Sequence, residues 1–403
     1  MKIVLVDKPN SWLNLLPFTY TRSISDIRCG ILTIAEKWAK ISGLEVYKVS
    51  ESHLATKYPQ VDTSNSLLID SCILPDSDVL ESILNLKPGE CLAKKDIGVI
   101  AINNDKNLSA RDCFDSAWSE IEYIGVINKL EFLWNIFQFN GNEIIKDYRL
   151  ITQGRKSAEI ADPYTIVYGK TQVFLEEGVS IKAAILNAED GPIYLGKNVQ
   201  VQEGAVIQGP FAMGDNGVIN IGAKIRKGTS AGPHCKIGGE VNNAVLFGYT
   251  NKAHDGFLGN SVIGEWCNIG ADTNTSNLKN NYSEVKVWNY VNERFIGTGS
   301  QFCGLMMGDH AKCAINTMFN TGSVVGVAAN IFGSGFPRNF VPSFSWGGPG
   351  GLKTFQIDKG FEVANAMMER RGLSLTEADK EILTNVFERS AKYRIWEKQA
   401  LKA

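Results

Sequence analysis

The 403-residue chain has no excess of either charge, no long apolar run and no closely spaced cysteine pair. Its 41 Lys and Arg residues against 43 Asp and Glu residues give a net charge of −2, which offers no electrostatic support for nucleic-acid binding. No apolar run reaches the roughly 20 residues that span a bilayer, so no membrane segment is expected. The first residues, MKIVLVDKPN, predict a β-strand and not a signal peptide. We therefore expect a cytoplasmic protein.

The cysteines give no indication of a disulfide framework, because none of them belongs to a CxxC pair. In a long chain without a signal, we interpret them as reduced, buried, small apolar side chains. There are eight: Cys29, Cys72, Cys91, Cys113, Cys235, Cys267, Cys303 and Cys313.

Glycine is abundant in one segment, because 30 of the 39 glycines fall between Gly169 and Gly351. Apolar residues in this segment recur every six positions, a period that fits neither a helix nor a plain strand. A period of six predicts a triangular solenoid in which the first residue of each hexad fills the interior. A glycine-rich β-sandwich with chance spacing is the alternative. The hexads begin at Leu195, Val201, Ile207 and Met213, at Ile263 and Ile269, and at Met307, Cys313, Phe319, Val325 and Ile331.

The hexad pattern is interrupted at 239–257 and 275–294, where we expect projecting loops that carry function. Before the solenoid, strand-like and helix-like segments alternate, which favours a sheet covered by helices. These segments include a helix over 23–43 and a helical stretch over 128–148 with a break at Asn140-Gly141. We divide the chain into an α/β (Rossmann-like) domain at 1–150, a linker at 151–164, a left-handed parallel β-helix at 165–351 and a helical tail at 352–403.

His254 is the most informative single residue of the solenoid segment. A solenoid interior has little use for an imidazole, so we expect its side chain to point outward, toward a neighbouring subunit. There it could act as a general base that takes a proton from an attacking amine. The simpler interpretation from position alone is a surface histidine in a loop.

Four motifs surround this histidine in the order IRKG, GGEVNN, KAHDGFLGN and NIGADTNTSNL. They resemble the acetyltransferase core of the GlmU-like bifunctional enzymes that make UDP-N-acetylglucosamine. The family motifs are L-R-P-G, G-x-x-V-E-I-K-N, K-A-G-H-x-x-Y-x-G-D and N-I-G-A-G-T-x-x-x-N-Y. The close match covers about 60 residues. The resemblance implies acetyl transfer from acetyl-CoA to an amino-sugar phosphate, in a homotrimer whose acyl site lies between two subunits.

The resemblance also implies roles for individual residues, and two family residues are replaced. Asn242 stands where the family has a lysine, and Leu278 stands where it has a tyrosine. Both replacements remove contacts to the sugar phosphate, so the identity of the amino-sugar stays open. The implied roles are catalytic base for His254, sugar-phosphate binding for Arg226, a place near both substrates for Asn277, and the acetyl-CoA groove for Ala271 and Thr298. Lys286 lies close to, but not on, the position of a family lysine that contacts the phosphate, and we expect it to bind substrate.

The first domain lacks G-x-G-x-R, the glycine-rich signature with which sugar nucleotidyltransferases cradle a nucleoside triphosphate. In its place stands LLPFTYTRSISDIRCGILTIAEKW, which resembles a divergent branch of sugar nucleotidyltransferases fused to hexapeptide solenoids. The resemblance implies that Arg22 and Arg28 bind phosphates and that Lys37 matches the signature lysine. Asp70 is the expected Mg²⁺ ligand. The alternative is that Arg22 and Arg28 only form ion pairs with nearby carboxylates.

The resulting hypothesis is a bifunctional enzyme of nucleotide-sugar synthesis that uses a sugar phosphate, a nucleoside triphosphate with Mg²⁺, and acetyl-CoA. A second hypothesis leaves only one half active, with the other half binding ligand or acting as a scaffold. A third is a zinc lyase of the γ-carbonic anhydrase type, which needs three histidines. His234, His254 and His310 do not have that family's spacing, and we interpret His234 and His310 as structural or surface residues.

Overall fold

The computed structural model describes residues 1–106 and 109–400, so the last three residues of the expected tail lie outside the described chain. The chain divides into two compact units, which we call the α/β unit and the solenoid unit. The α/β unit comprises Met1–Leu15, Arg22–Ile27 and Leu32–Asn135. The solenoid unit comprises Leu16–Thr21, Arg28–Ile31 and Ile136–Ala403.

The α/β unit is built on one mixed sheet of six strands in the order β2-β1-β3-β5-β4-β6. Strand β1 runs parallel to β2 and β3, whereas β5 runs antiparallel to β3 and β4. The strands are β1 (Ile3–Val6), β2 (Val46–Val49), β3 (Ser66–Asp70), β4 (Glu90–Lys94), β5 (Gly98–Asn104) and β6 (Ser119–Glu122). The helices are α1 (Pro9–Asn14), α2 (Ile34–Ser42), α3 (Ser77–Leu84) and α4 (Ala110–Phe114).

Helix α2 ends at Gly43 as predicted, because Gly43 adopts the left-handed conformation that terminates helices. It begins later than predicted, at Ile34, where Thr33 and Glu36 form a capping box. The predicted start at residue 23 was wrong, since Ser23 Oγ and Ile24 N are bound by the carboxylate of Asp7. The hydrogen bonds to Asp7 thus hold this segment in a conformation that differs from the predicted first turns of the helix.

The solenoid unit is a parallel β-helix with three faces of six, nine and ten strands. Every predicted interior residue of the hexads, from Leu195 to Ile331, is buried in one continuous apolar core, which confirms the solenoid. The first face holds β7 (Ile166–Tyr168), β10 (Ile185–Asn187), β13 (Val206–Gln208), β16 (Lys224–Ile225), β19 (Glu240–Asn242) and β22 (Phe257–Gly259). The second holds β8 (Val173–Leu175), β11 (Ile193–Leu195), β14 (Phe211–Met213), β17 (Thr229–Ala231), β20 (Val245–Gly248), β23 (Val262–Glu265), β28 (Leu305–Met307), β31 (Ser323–Val325) and β33 (Phe340–Val341).

The third face carries the shorter strands, and its last strand pair is antiparallel. It holds β9 (Ser180–Ile181), β12 (Gln200–Val201), β15 (Val218–Ile219), β18 (Lys236–Ile237), β21 (Asn251–Lys252), β24 (Asn268–Ile269), β29 (Lys312–Cys313), β32 (Asn330–Ile331), β34 (Ser345–Gly348) and β35 (Gly351–Thr354). Two further pairs lie outside the three faces, β25 (Asn274–Thr275) with β30 (Met318–Phe319), and β26 (Lys286–Asn289) with β27 (Arg294–Gly297).

The two predicted interruptions of the repeat have different structures. Over 239–257 the coil is shorter but keeps its strand pairing. Lys236 pairs with Asn251, 15 residues further along the chain, whereas in a regular coil Gln200 pairs with Val218, 18 residues further along. The second interruption does project, as the antiparallel hairpin of β26 and β27. A missing hexad can therefore indicate either a shorter coil or an insertion.

Helices precede and follow the solenoid strands along the chain. Helix α5 (Asn135–Thr152) runs through Asn140-Gly141 without a break and crosses the domain boundary expected at 150. The tail consists of α6 (Ile357–Glu369), α7 (Glu377–Ser390) and α8 (Ile395–Ala400). All eight cysteines are buried and free, as predicted. None of the described helices is long and apolar enough to cross a membrane.

Candidate functional site

Two carboxylates lie at the carboxyl ends of adjacent parallel strands in the α/β unit. Asp70 is the last residue of β3, and Asp7 directly follows Val6, the partner of Asp70 in β1. Open α/β sheets bind their ligands outside the carboxyl ends of the strands. This edge of the sheet is therefore the candidate site of the α/β unit.

Asp70 is fully buried and faces two ammonium groups. Its Oδ1 accepts a hydrogen bond from the Cys72 amide at 3.0 Å. Its Oδ2 lies 3.1 Å from Lys8 Nζ and 3.5 Å from Lys129 Nζ, without a hydrogen bond of good geometry among the described residues. Lys8 is held in place because its Nζ also donates to the Val99 carbonyl at 2.7 Å. Two cations thus surround one carboxylate oxygen.

Lys8 and Lys129 also line a cleft of about 500 Å³ in the α/β unit. Arg111 adds a third cation to the lining and is paired with Glu51 at 2.8 Å. The polar side chains of Asn10, Ser11 and Asn14, and two carboxylates, Asp115 and Glu131, complete the polar part of the lining. A cleft with this composition suits a polar ligand that carries phosphates.

Asp7 organises the backbone beside this edge. Its carboxylate accepts hydrogen bonds from Ser23 Oγ at 3.0 Å, from Ile24 N at 3.2 Å and from Ser50 Oγ at 2.5 Å. Burial raises its pKa to about 6, since desolvation outweighs these hydrogen bonds. Asp7 therefore fixes the segment that follows Arg22.

The predicted phosphate-binding residues of the first domain lie elsewhere. Arg22 and Lys37 are buried, with 3% and 2% of their surfaces exposed, and neither is among the described residues that line the cleft. Arg28 belongs to the solenoid unit, where its Nε donates to the Phe247 carbonyl at 3.2 Å. Their phosphate-binding roles stay predictions.

Lys8, Lys129 and Asp7 were not selected from the sequence. The run Asp7-Lys8-Pro9 directly after the first strand was a usable signal, because it occupies the place of the missing glycine-rich loop. Lys129 had no such signal, since only the bridge between Ile73 and Lys129 brings it to the sheet edge.

The residues around Asp70 fit a magnesium ion in their donor chemistry. Mg²⁺ is bound through one or two carboxylates together with substrate phosphates. Asp70 Oδ2 is a buried carboxylate oxygen with spare acceptor capacity, and Asp7 is its neighbour across the strand pair. The two ammonium groups would have to exchange this oxygen for phosphate oxygens when a cation binds. The assignment of Mg²⁺ to Asp70 stays a prediction.

In the solenoid unit, His254 lies in the turn between β21 and β22 with its side chain exposed. The turn is closely packed by the coils on either side. A Cβ on Gly239 would come within 2.8 Å of Asp255 Cα and of the His254 carbonyl oxygen. On the other side, Asp272 N donates to the Asp255 carbonyl at 3.0 Å. The backbone that carries the imidazole is therefore fixed although the side chain is free to meet a substrate.

A buried lysine fixes the same turn from inside the solenoid. Lys252 is 2% exposed and occupies the interior position that Ile237 and Ile269 fill in the neighbouring coils. Its Nζ donates to the carbonyls of Gly238 at 3.1 Å and His254 at 2.5 Å. Burial lowers the pKa of Lys252 to about 8. The sequence offered a signal for this residue, because a lysine stands at an interior position of the repeat where an aliphatic residue is expected.

The other predicted acetyl-transfer residues lie at the opposite end of the same face. Arg226 follows β16, its side chain is exposed, and its Nη1 lies 3.6 Å from Glu240 Oε1. Asn277 follows β25, and its Nδ2 donates to Asn260 Oδ1 at 2.7 Å. His254 precedes β22, whereas Arg226 and Asn277 follow their strands.

A cleft of about 650 Å³ lies beside Arg226 and Asn277. Asn260, which Asn277 contacts, lines this cleft together with Lys227 and with Asn242, which replaces the family lysine. Asn243 also lines it; with its side-chain amide reversed, its Oδ1 accepts from Asn260 Nδ2 at 3.0 Å. A row of amides on successive coils can hydrogen-bond the hydroxyl groups of a sugar.

The remaining predicted residues lie on or beside the hairpin. Lys286 begins β26 and lines a cavity of about 640 Å³ with Lys279, Arg338 and the stacked rings of Trp288 and Phe340. Thr298 is buried, and its Oγ1 donates to the Val285 carbonyl at 2.9 Å. Ala271 is half-buried, and its carbonyl accepts from Asn316 N at 2.8 Å. The predicted acetyl-CoA contacts of Ala271 and Thr298 stay predictions.

The zinc-lyase hypothesis gains no support. Among the described residues, no group of three or more His, Cys, Asp or Glu side chains could hold a metal ion. His234 stacks on Tyr249 with ring centroids 4.9 Å apart, and His310 stacks near Trp266 at 6.4 Å. These two histidines belong to an aromatic ladder on the surface of the coils.

Comparisons with known proteins match both units. Residues 3–156 match the family model described as sugar nucleotidyl transferase. A bifunctional sugar-1-phosphate nucleotidylyltransferase/acetyltransferase from Sulfurisphaera tokodaii is 24% identical over 75% of this chain and 69% of its own length. An uncharacterised acetyltransferase, YaiX, from Escherichia coli O6:K15:H31 is 28% identical over 45% of this chain and 70% of its own length. The bifunctional protein GlmU of Methanocaldococcus jannaschii is 36% identical over 22% of this chain and 21% of its own length.

Solved structures match with low overall similarity. The polySia-specific acetyltransferase NeuO is 13% identical, covers 49% of this chain and 85% of its own, and has a TM-score of 0.26. This TM-score is too low to support an argument about function. The fold class rests on the observed sheets, which confirm an α/β unit followed by a left-handed parallel β-helix with a helical tail.

The sequence relatives carry nucleotidyltransferase and acetyltransferase names, and both activities are transferase activities. The chain is therefore similar to GlmU-like bifunctional nucleotidyltransferase/acetyltransferase proteins, and its residues 3–156 match the sugar nucleotidyl transferase model.

Proposed function

We propose that the chain joins a sugar 1-phosphate to a nucleotide in its α/β unit and acetylates an amino-sugar phosphate on its solenoid. The observation that carries the proposal is the pairing of a lysine-lined cleft at a strand edge with an exposed histidine on a rigid solenoid turn. The two sites lie in separate compact units, so each can be tested without the other.

In nucleotidyl transfer, a phosphate oxygen of the sugar 1-phosphate attacks the α-phosphorus of the nucleoside triphosphate. A new P–O bond forms, the bond to the bridging oxygen breaks, and pyrophosphate leaves. Lys8 and Lys129 would bind the phosphates and offset the charge that collects on them as the bond breaks. A Mg²⁺ ion held by Asp70 would supply further charge neutralisation. Asp7 would hold the adjoining backbone in place.

In acetyl transfer, the amine of the amino-sugar attacks the thioester carbonyl of acetyl-CoA. A C–N bond forms, the C–S bond breaks, and CoA leaves as the thiol. The imidazole of His254 would take the proton from the attacking nitrogen and pass it to the departing thiolate sulfur, and Lys252 would position the turn that carries this histidine. Arg226 would bind the sugar phosphate, and the amides of Asn260 and Asn277 would bind sugar hydroxyls.

The distribution of these residues supports a shared site. His254 precedes its strand whereas Arg226 follows its own strand, and we propose that a second copy of the chain completes the acyl site. A closed homotrimer, which the sequence analysis expected, places the face of one subunit against its neighbour at three equivalent sites. A cytoplasmic location stays a prediction.

Two release assays test the proposal on the full chain. Pyrophosphate release is measured across nucleoside triphosphates and sugar 1-phosphates with Mg²⁺, and thiol release from acetyl-CoA is measured with glucosamine 1-phosphate and other amino-sugar phosphates. We expect activity in both assays. Thiol release without pyrophosphate release from any pair would show that only the solenoid is catalytic, and the reverse result would show that only the α/β unit is.

A further inference from the structure

A row of polar side chains runs along the outside of the third solenoid face. Lys236, Asn251, Asn268 and Lys312 pair in register on four successive coils. Each is followed by an interior residue, so all four side chains point outward. Since neighbouring strands lie about 4.8 Å apart, the row spans about 14 Å and ends in a lysine on both sides.

The tail covers this row and encloses a pocket. Helix α6 and the two residues that follow it supply Ala366, Met367, Arg370 and Arg371, and the enclosed volume is about 350 Å³. Arg371 Nη2 lies 3.5 Å from Asn251 Oδ1 and from the His234 carbonyl oxygen. Tyr249 and Trp266, stacked at 4.2 Å, form the side wall. Residues of the tail and of the solenoid together thus line one pocket.

The pocket is strongly cationic. Its lining holds the charged groups of Lys236, Lys312, Arg370 and Arg371 and no carboxylate among the described residues. Three carboxylates, Asp215, Glu265 and Asp309, lie on the adjoining turns, and two of them accept hydrogen bonds from backbone amides. Asp215 Oδ1 accepts from Lys197 N at 2.8 Å, and Asp309 Oδ1 accepts from Glu265 N at 2.9 Å.

Lys312 has the most restricted ammonium group of the four. Its Nζ donates to the His310 carbonyl at 2.9 Å. Burial lowers the pKa of Lys312 to about 8, and no carboxylate opposes this shift. A buried ammonium without an anionic partner is costly, and an anion in the pocket would remove much of that cost.

We propose that this pocket binds a small molecule that carries both phosphate and hydroxyl groups, a sugar phosphate or a nucleotide. The two lysines and two arginines bind the phosphate, and the amides of Asn251 and Asn268 bind hydroxyls. The pocket contains neither His254 nor any cleft residue of the α/β unit, so its lining is distinct from both sites proposed above. Its ligand would join the tail to the solenoid.

Titration calorimetry on the full chain tests this proposal with four probes: inorganic phosphate, a hexose 1-phosphate, a nucleoside diphosphate and the unphosphorylated hexose. We expect the two organic phosphates to bind more tightly than inorganic phosphate and the unphosphorylated sugar not to bind; which organic phosphate binds more tightly identifies the source. Lys312→Met and Arg370→Ala should each weaken binding at least tenfold. Lys359→Met, on the exposed side of α6, should leave it unchanged.

Two further readouts separate this site from the catalytic sites and from a folding defect. At pH 8, binding should take up protons in wild type and not in Lys312→Met, because the phosphate restores the charge of this lysine. Arg370 is exposed, so Arg370→Ala should lose binding with an unchanged melting temperature. Equal affinity in wild type and both pocket variants, or no binding of any phosphate probe, would overturn the proposal.

Discussion

The proposed reactive side chains are held in place by side-chain charges in the α/β unit and by backbone packing in the solenoid unit. At the sheet edge of the α/β unit, the proposed reaction would depend on side-chain charges, since Asp70 lies between Lys8 and Lys129. On the solenoid, the backbone does the positioning, since Lys252 and the neighbouring coils hold the carbonyls and Cα atoms around His254. Substitutions should therefore act through charge in one unit and through backbone geometry in the other.

The two proposed sites also differ in whether one chain supplies all of their residues. The cleft of the α/β unit has all its cations in one chain. The proposed acetyl-transfer residues of one chain are spread along a face, since His254 precedes its strand and Arg226 follows its own strand. The first site should work in any oligomeric state, whereas the second should depend on subunit contacts.

The largest expected effect comes from mixing inactive subunits. His254→Ala and Arg226→Ala should each abolish acetyl transfer. Randomly mixed trimers of the two variants should recover about a quarter of wild-type thiol release, because one subunit supplies the histidine and its neighbour the arginine. Thiol release from denatured and co-refolded mixtures measures this. Recovery no greater than the sum of the separate variants would place both residues in one chain's site.

A glycine substitution should disturb the histidine turn without touching a reactive group. Gly239→Ala puts a Cβ 2.8 Å from Asp255 Cα, so the turn must shift and thiol release should fall about 10- to 100-fold. Gly222→Ala is the matched control, since Gly222 has the same φ of 66° and nothing within 4 Å of its Cβ. Equal losses in the two variants would attribute the effect to backbone strain alone. Pyrophosphate release should stay unchanged in both.

Removing the interior ammonium should have a smaller effect. Lys252→Met keeps the side-chain length but loses the hydrogen bonds to the Gly238 and His254 carbonyls. We expect the kcat of acetyl transfer to fall about tenfold with little change in KM, because the base loses its position and not its contact with substrate. Lys224→Met, exposed on the first face, is the control. An unchanged kcat in Lys252→Met would show that the His254 turn keeps its position without the hydrogen bonds from Lys252.

Changes in the pH dependence of stability should have opposite signs in the two units. Asp7 has a folded pKa of about 6, above its unfolded value, so the native state binds more protons and stability falls as pH rises from 4 to 6. Lys252 has a folded pKa of about 8, below its unfolded value, so stability rises from pH 8 to 10.5. Urea unfolding at stepped pH should show each slope reduced, by up to about 3 kcal/mol over its window, in Asp7→Asn and Lys252→Met. Unchanged slopes would mean that neither group titrates as described.

The sequence predicted the repeating interior positions of the solenoid, but it did not predict features that depend on contacts between residues far apart in the chain. The hexad starts, such as Leu195, Ile263 and Val325, are all buried, because a coil repeats its own local pattern. The break expected at Asn140-Gly141 is absent, since Asn140 binds the Gly30 amide and the Gly228 carbonyl from within a continuous helix. Local turn signals were overridden there by tertiary hydrogen bonds.

The candidate sites show the same division. His254 was found because it stands in a motif that departs from the repeat. Lys129 and Asp70 are far apart in sequence and meet only through strand pairing, so no local pattern could join them. Arg22 and Lys37 were selected for their charge, and both are buried outside the cleft lining. Charge in a motif does not reveal whether a side chain reaches a ligand.

The most direct test of two separate active sites measures both release rates in two variants of the full chain. His254→Ala should abolish thiol release and leave pyrophosphate release at its wild-type rate. Asp70→Asn should lower pyrophosphate release at least 100-fold and leave thiol release unchanged, with Asp96→Asn, on an exposed turn of the same unit, as the control. A fall of both rates in either variant, or survival of thiol release in His254→Ala, would contradict the account.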